Sequence, residues 1–270
     1  MGSNAEYSDR LVCFIDILGF RNMVDKTVGD DGADQNELIT EIKDIFKVGQ
    51  YFIKPDEDDE LNADVRVTWF SDSIVLSFDY TSESQIFHRL LSLQWMLINF
   101  AYRGVLCRGG IAQGKIVHTE EMIFGPAMNE AYDLENNAAI FPRIIVSDDI
   151  VNLAGMYRKH GHAPDEEVSY VKDLLELDGD GFYYINYVGL SAQQELDDPE
   201  YDFPIYLDCI FKILTKIKNS KSIRIKMKYE WLKRKYNDVV KLIHESVEQG
   251  KYQPADSDLL LAYSSIPIEE

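Results

Sequence analysis

Two aspartates stand where apolar strand-like runs carry a charge. Asp16 lies in Val12-Cys13-Phe14-Ile15-Asp16-Ile17-Leu18-Gly19-Phe20, and Asp72 in Phe70-Ser71-Asp72-Ser73-Ile74-Val75-Leu76-Ser77-Phe78. An ionised carboxylate at the end of a buried strand is costly unless a cation or hydrogen-bond donors hold it. Two of them on neighbouring strands suit hard divalent cations, which take oxygen ligands and can bridge phosphates. Nothing in the pattern suggests zinc. The turn after Asp16 leads into a helix, so its backbone N–H groups can point at an anion, and a side chain at Gly19 would crowd that approach. The simpler alternative is that Asp16 caps the following helix and Asp72 satisfies its own turn.

The elements that must position this pair are legible from periodicity. Residues 11–18 are apolar on both parities, the pattern of a central strand, and a short helix follows from Phe20. Leu38, Ile39, Ile42, Ile45, Phe46 and Val48 recur at helical spacing over 35–53, and the acidic run 55–60 reads as a solvated loop. Val65–Ser71 and Ile74–Phe78 read as a hairpin with Asp72 near its tip. A helix over 84–102 ends at Gly104, a strand over 105–117 contains Gly109 and Gly110, and Pro126 opens a helix to about Asn137. Ile144-Ile145-Val146 is a further strand. This order is the βαββαβ arrangement of a ferredoxin-like α+β sheet, with both aspartates on adjacent central strands. Farther on, 168–177 and 182–188 flank the hairpin signal Asp178-Gly179-Asp180-Gly181, and two amphipathic helices follow at about 203–218 and 223–248. The tail after Tyr252 carries little pattern. The expected division is a domain over 1–190 and a helical extension over 191–270.

The 270 residues suffice for a full core, and 47 acidic against 27 basic residues leave a formal charge of −20, which argues against nucleic acid as a partner. Cys13, Cys107 and Cys209 are odd in number and apolar in setting, so they read as reduced core thiols. No run is long enough to cross a bilayer, and residues 1–6 lack the charged and apolar regions of a secretion signal; a cytoplasmic location without membrane partners is expected. Basic residues cluster between Lys212 and Lys235, read as an exposed helix face over a core of Tyr229, Trp231, Leu232 and Tyr236, with attraction of an anionic partner as the alternative. His160 and His162 flank Gly161 in a polar loop.

Four segments together resemble the successive motifs of class III nucleotidyl cyclases: 14–20, 70–75, Arg108-Gly109-Gly110-Ile111 and Phe124-Gly125-Pro126-Ala127-Met128-Asn129-Glu130-Ala131. The resemblance spans roughly residues 10–190. It implies a homodimer with composite active sites, in which one protomer brings Asp16, the backbone carbonyl of Ile17 and Asp72 to two Mn²⁺ or Mg²⁺ ions. The segment Phe14, Leu18, Gly19 and Phe20 would line the substrate, and the other protomer would bring Asn129 to the ribose and the transition state. The reaction implied is attack of a ribose 3′-hydroxyl on the α-phosphorus, with loss of pyrophosphate.

Departures from the family pattern narrow the substrate. Thr68 and Met122 stand where purine-specific members carry hydrogen-bonding base readers, and losing both argues against adenine or guanine. With Asn129–Glu135 and Trp231-Leu232, the chain looks like the bacterial pyrimidine cyclases of anti-phage defence, which make cyclic UMP or cyclic CMP for a separate effector. UTP is the preferred substrate and CTP the alternative. The family's transition-state arginine falls on Asp133, so Arg108, Arg143 or Arg21 would replace it; Arg143 could equally pair with Glu135. A diguanylate-cyclase-like palm lacks its Gly-Gly-Asp/Glu-Glu-Phe hairpin here. A degenerate nucleotide-binding signalling module is the non-enzymatic alternative that Asp133 favours.

Overall fold

The computed structural model describes residues 6–51, 64–254 and 256–270. The acidic run 55–60 and the opening residues 1–5 lie outside the described residues. The chain divides into two compact units, the described part of Met1–Met96 with Leu106–Ile185, and Leu97–Val105 with Asn186–Glu270. The second unit thus begins at Asn186 and also takes in nine residues, Leu97–Val105, that the sequence reading kept with the first.

The first unit is α+β, built on a mixed sheet. Its strands are β1 (Ser8–Ile17), β2 (Val65–Phe70), β3 (Ser73–Phe78), β4 (Cys107–His118), β5 (Ile123–Phe124), β6 (Ile144–Val146), β7 (Leu175–Leu177) and β8 (Tyr183–Ile185). Its helices are α1 (Phe20–Asp25), α2 (Asn36–Tyr51), the start of α3 (Gln85–Tyr102), α4 (Pro126–Asp133), α5 (Asp148–Met156) and α6 (Pro164–Asp173). The sheet order is β2-β3-β1-β4-β6-β8-β7, with β5 paired to β4. Only β4 and β6 run parallel; the other pairs are antiparallel.

The doubly apolar run of β1 becomes a central strand between β3 and β4, with Leu11, Val12, Cys13 and Ile15 fully buried. Alternation assigns its faces. Val12 and Phe14 join Val75, Ala112 and Ile116 under Ala127 and Ala131 of α4. Gly110 makes that contact close, since a Cβ there would lie 2.4 Å from Leu134 Cβ. Gly109 faces the other way, and its Cβ would meet the Phe14 carbonyl at 2.5 Å. The glycine pair therefore serves backbone packing.

Three expectations need correction. The helix from Pro126 does not run regularly to Asn137: α4 ends at Asp133 and a π turn covers Leu134–Ala138, in which Glu135 is 3 % exposed. Residues 168–174 are not strand but the end of α6 and its cap; Pro164 at its first position and Asp165, Glu166 and Glu167 in its first turn suit a helix N-terminus. Arg143 does not pair with Glu135. It is fully buried and binds Asp178 at 2.6 Å and Asp180, anchoring the β7–β8 turn to the strand that Arg143 precedes.

The second unit holds the end of α3 with α7 (Leu190–Gln193), α8 (Asp202–Ile217), α9 (Ile223–Glu248) and α10 (Ser257–Ser264). Phe203, Tyr206, Leu207 and Ile210 of α8 are buried, as are Tyr229, Trp231, Leu232 and Tyr236 of α9, so the latter four are core contacts. Lys212, Lys216, Lys221, Arg224 and Lys226 are exposed, as a solvated basic face requires. The tail is tied down: Glu269 is buried against Lys218 Nζ and the Tyr229 hydroxyl, each at 2.8 Å, and its backbone N–H and carbonyl bond the Asn237 side-chain amide. No helix among the described residues is long and apolar enough to cross a membrane.

Candidate functional site

Asp16 and Asp72 meet at one end of the sheet. Asp16 is opposite Ser73 in the β1–β3 ladder, and the Ile17 N–H donates to the Asp72 carbonyl at 2.8 Å. Asp72 occupies the two-residue turn between β2 and β3, after Ser71 at φ 53°. A left-handed serine is uncommon, and such strain is frequent beside functional groups. Ile17 is buried, and the Leu18 N–H is spent on the Leu106 carbonyl at 2.8 Å. Gly19 adopts φ 79° with nothing within 4 Å of a Cβ built on it, so left-handed backbone, not crowding by the chain, accounts for the glycine.

Arg108 reaches Asp16 from β4, the two residues being paired in the β1–β4 ladder. Its Nε donates to Asp16 Oδ2 at 3.0 Å, and its Nη2 lies 2.6 Å from Glu135 Oε1 beneath the π turn. Asp16 and Arg108 side chains are each about one-fifth exposed, at 20 % and 23 %. Phe14 and Phe20 are core side chains: Phe14 packs edge-on against Tyr132 at 5.3 Å and Phe20 against Phe46 at 5.8 Å. Burial, reinforced by the negative Asp16, pushes the Cys107 thiol well up, and burial alone does the same to Cys13. Burial keeps both in the less reactive thiol form. His162 pairs with the buried Glu167 at 2.8 Å, and Arg21 is exposed.

Asn129 lies on α4, two residues from each of the buried Ala127 and Ala131. That spacing puts it on the side of the helix turned from the sheet, and it is exposed. With Glu130, Asp133 and Asn137 it lines an open depression of about 520 Å³. Neither models of protein families nor curated proteins give a match to this chain. The chemistry must be argued from the side chains themselves.

Among the described residues no group of three or more His, Cys, Asp or Glu side chains gathers to hold a metal. Asp16 and Asp72 offer only two carboxylates. Two carboxylates match in number what Mg²⁺ or Mn²⁺ takes from a protein when water and substrate phosphates complete the shell.

Thr68 has a partner set that sequence reasoning missed. On the same sheet face, its Oγ1 is 2.9 Å from His118 Nε2, His118 Nδ1 is 2.8 Å from Ser77 Oγ, and Ser77 Oγ accepts from Arg10 Nε at 3.0 Å. Arg10, Ser77 and His118 are at most 2 % exposed. Arg10 in an apolar strand was the available signal; the sequence separations of 41 to 67 residues hid the rest. Met122 is exposed in the turn after β4, four residues beyond His118. Burial, then the charges of Arg10 and Arg66, pushes His118 down from 6.5 to about 4. A depressed histidine contributes stability above the unfolded value of 6.5 that is lost as pH falls toward 4. Between pH 6.5 and 4.5 the protein should therefore lose on the order of 2 kcal/mol through this residue. Urea denaturation across that window should show the slope, and His118→Asn should flatten it; an equal slope in both rejects the assignment.

Proposed function

We propose that this protein is a pyrimidine nucleotide cyclase of the class III type, with a ferredoxin-like catalytic core, that converts UTP to 3′,5′-cyclic UMP and pyrophosphate. The observation that supports the reading is the order β2-β3-β1-β4, with the Asp72 carbonyl bonded to the N–H of Ile17, the residue after Asp16, at one end of the sheet. Thr68 pairs with Val75, which pairs with Phe14, two registers from Asp16. By ideal sheet spacing, Thr68 is two residues along and two strands across from Asp16, about 12 Å between Cα atoms. That separation suits a nucleotide with phosphates at Asp16 and base toward Thr68 and Met122.

In this reading Asp16, the Ile17 carbonyl and Asp72 hold the cations, and Asn129 of a second copy orients the ribose. Bound Mn²⁺ or Mg²⁺ would offset phosphate charge and ease loss of the 3′-hydroxyl proton. The 3′-oxygen then bonds to the α-phosphorus, the bond to the bridging oxygen breaks, pyrophosphate leaves, and the proton passes to solvent. Arg108, ion-paired with Asp16, can take the place of the arginine that Asp133 replaces. A cytoplasmic homodimer signalling through a separate effector of the cyclic product, as in anti-phage defence, is the accompanying proposal.

The test is incubation with each of the four NTPs and Mn²⁺, with products identified by mass spectrometry. Cyclic UMP should dominate; cyclic CMP would move the base assignment, and cyclic purines would reject it. The second reading, a binding module without turnover, rests on the acidic Asp133 beside Asn129. It would show thermal stabilisation by nucleotide without pyrophosphate release.

A further inference from the structure

Arg108 joins two carboxylates of unlike character. Asp16, at 20 % exposure, can exchange one cation for another with solvent; Glu135, at 4 %, lies under the π turn at 2.6 Å from Nη2. A charge as buried as Glu135 holds a counterion more firmly than one open to solvent, because replacing that counterion by water is harder in low dielectric. The two bonds use different nitrogens of one guanidinium, Nε for Asp16 and Nη2 for Glu135, so one can open while the other holds. Glu135 continues the buried face of Ala127 and Ala131 into a π turn, and π turns are frequent at functional sites.

The geometry points to Arg108 as a built-in place-holder for the metal. It occupies Asp16 in the metal-free protein, yields that carboxylate to an incoming divalent cation, and swings about Glu135. Glu135 is the positioning residue: it retains the guanidinium at the rim of the site, with the released Nε edge turned toward the phosphates. This inference rests on the cyclase reading for the identity of the incoming cation and of the phosphates.

Opposite signs follow for two variants. Glu135 shares the charge of Arg108 and so loosens its hold on Asp16. Glu135→Gln leaves the guanidinium to Asp16 alone, and the metal must compete harder. The double variant Arg108→Gln with Glu135→Gln removes the competitor without leaving a buried unpaired charge, and the metal binds more easily. A pair that merely braced the fold would weaken binding in both.

The experiment is titration of the full chain with Mn²⁺ alone, free Mn²⁺ being read by electron paramagnetic resonance. Relative to wild type, Glu135→Gln should bind about threefold more weakly and the double variant about threefold more tightly, the range of a partly exposed ion pair. Asp16→Asn is the control for the site. Loss of binding in Asp16→Asn with same-direction or no change in the other two overturns the place-holder and leaves the metal site standing. Wild-type binding that is absent, or unaffected by Asp16→Asn, overturns both. A measurement independent of variant folding is the Arg108 Nε–H resonance of the wild-type protein, which should shift on adding Mg²⁺; an unmoved resonance at saturating Mg²⁺ also overturns the place-holder.

Discussion

Asp16→Ala and Asp72→Ala should each lower the rate of cyclic-product formation by at least about 10³-fold, or about 4 kcal/mol of transition-state stabilisation. The size follows from what each carboxylate does: with two carboxylates in all, removing either leaves the cations one anionic side chain, the Ile17 carbonyl and the substrate. Both variants should keep the fold. Without Asp16 the Arg108 guanidinium still has Glu135 at 2.6 Å, so no charge is stranded. Without the Asp72 side chain, the bond from the Ile17 N–H to the residue-72 carbonyl remains, since it is backbone to backbone. Pyrophosphate release at saturating UTP and Mn²⁺, beside the thermal melt of each variant, measures chemistry and folding separately. A normal rate from either variant would remove the metal-site reading.

Elements that bury a repeating apolar pattern were legible in the sequence. β1 reads as a two-sided buried strand because both parities are apolar, and α8 and α9 read as helices because their stripes persist for four turns or more. The aspartate pair was legible for the complementary reason, a charge set in an apolar run. What escaped had its meaning in tertiary contact. Val168, Tyr170 and Val171 favour strand by composition, but Val171 is the buried side of a helix whose acidic first turn faces its own N–H groups. Glu135 falls by helical spacing on the buried face of Ala127 and Ala131, where a carboxylate is out of place until the folded sheet brings Arg108 of β4 to it. Arg143 finds its partners 35 and 37 residues away, in a turn whose aspartates read from sequence only as hairpin residues.

Asn129→Ala should lower kcat by about 10²-fold, the cost of losing one polar group aimed at developing charge, and should leave Mn²⁺ binding to the free protein unchanged. Mixing it with Asp16→Ala tests where the site lies. Asn129 is exposed on the side of α4 turned from the sheet, whereas Asp16 shares the sheet face that Ala127 and Ala131 cover. Within one chain they project in different directions, so a site that uses both, as proposed, would draw them from two copies. In a heterodimer of the two variants, one site then carries both lesions and the other carries none. Random assortment gives half heterodimers with one intact site of two, so co-expression should restore about a quarter of wild-type activity from two inactive proteins. If Asp16 and Asn129 act within a single chain, every site in the mixture is damaged and activity stays at the level of the single variants. The quarter-level recovery is therefore diagnostic of a shared site, because no change in folding or metal affinity of either variant can produce it.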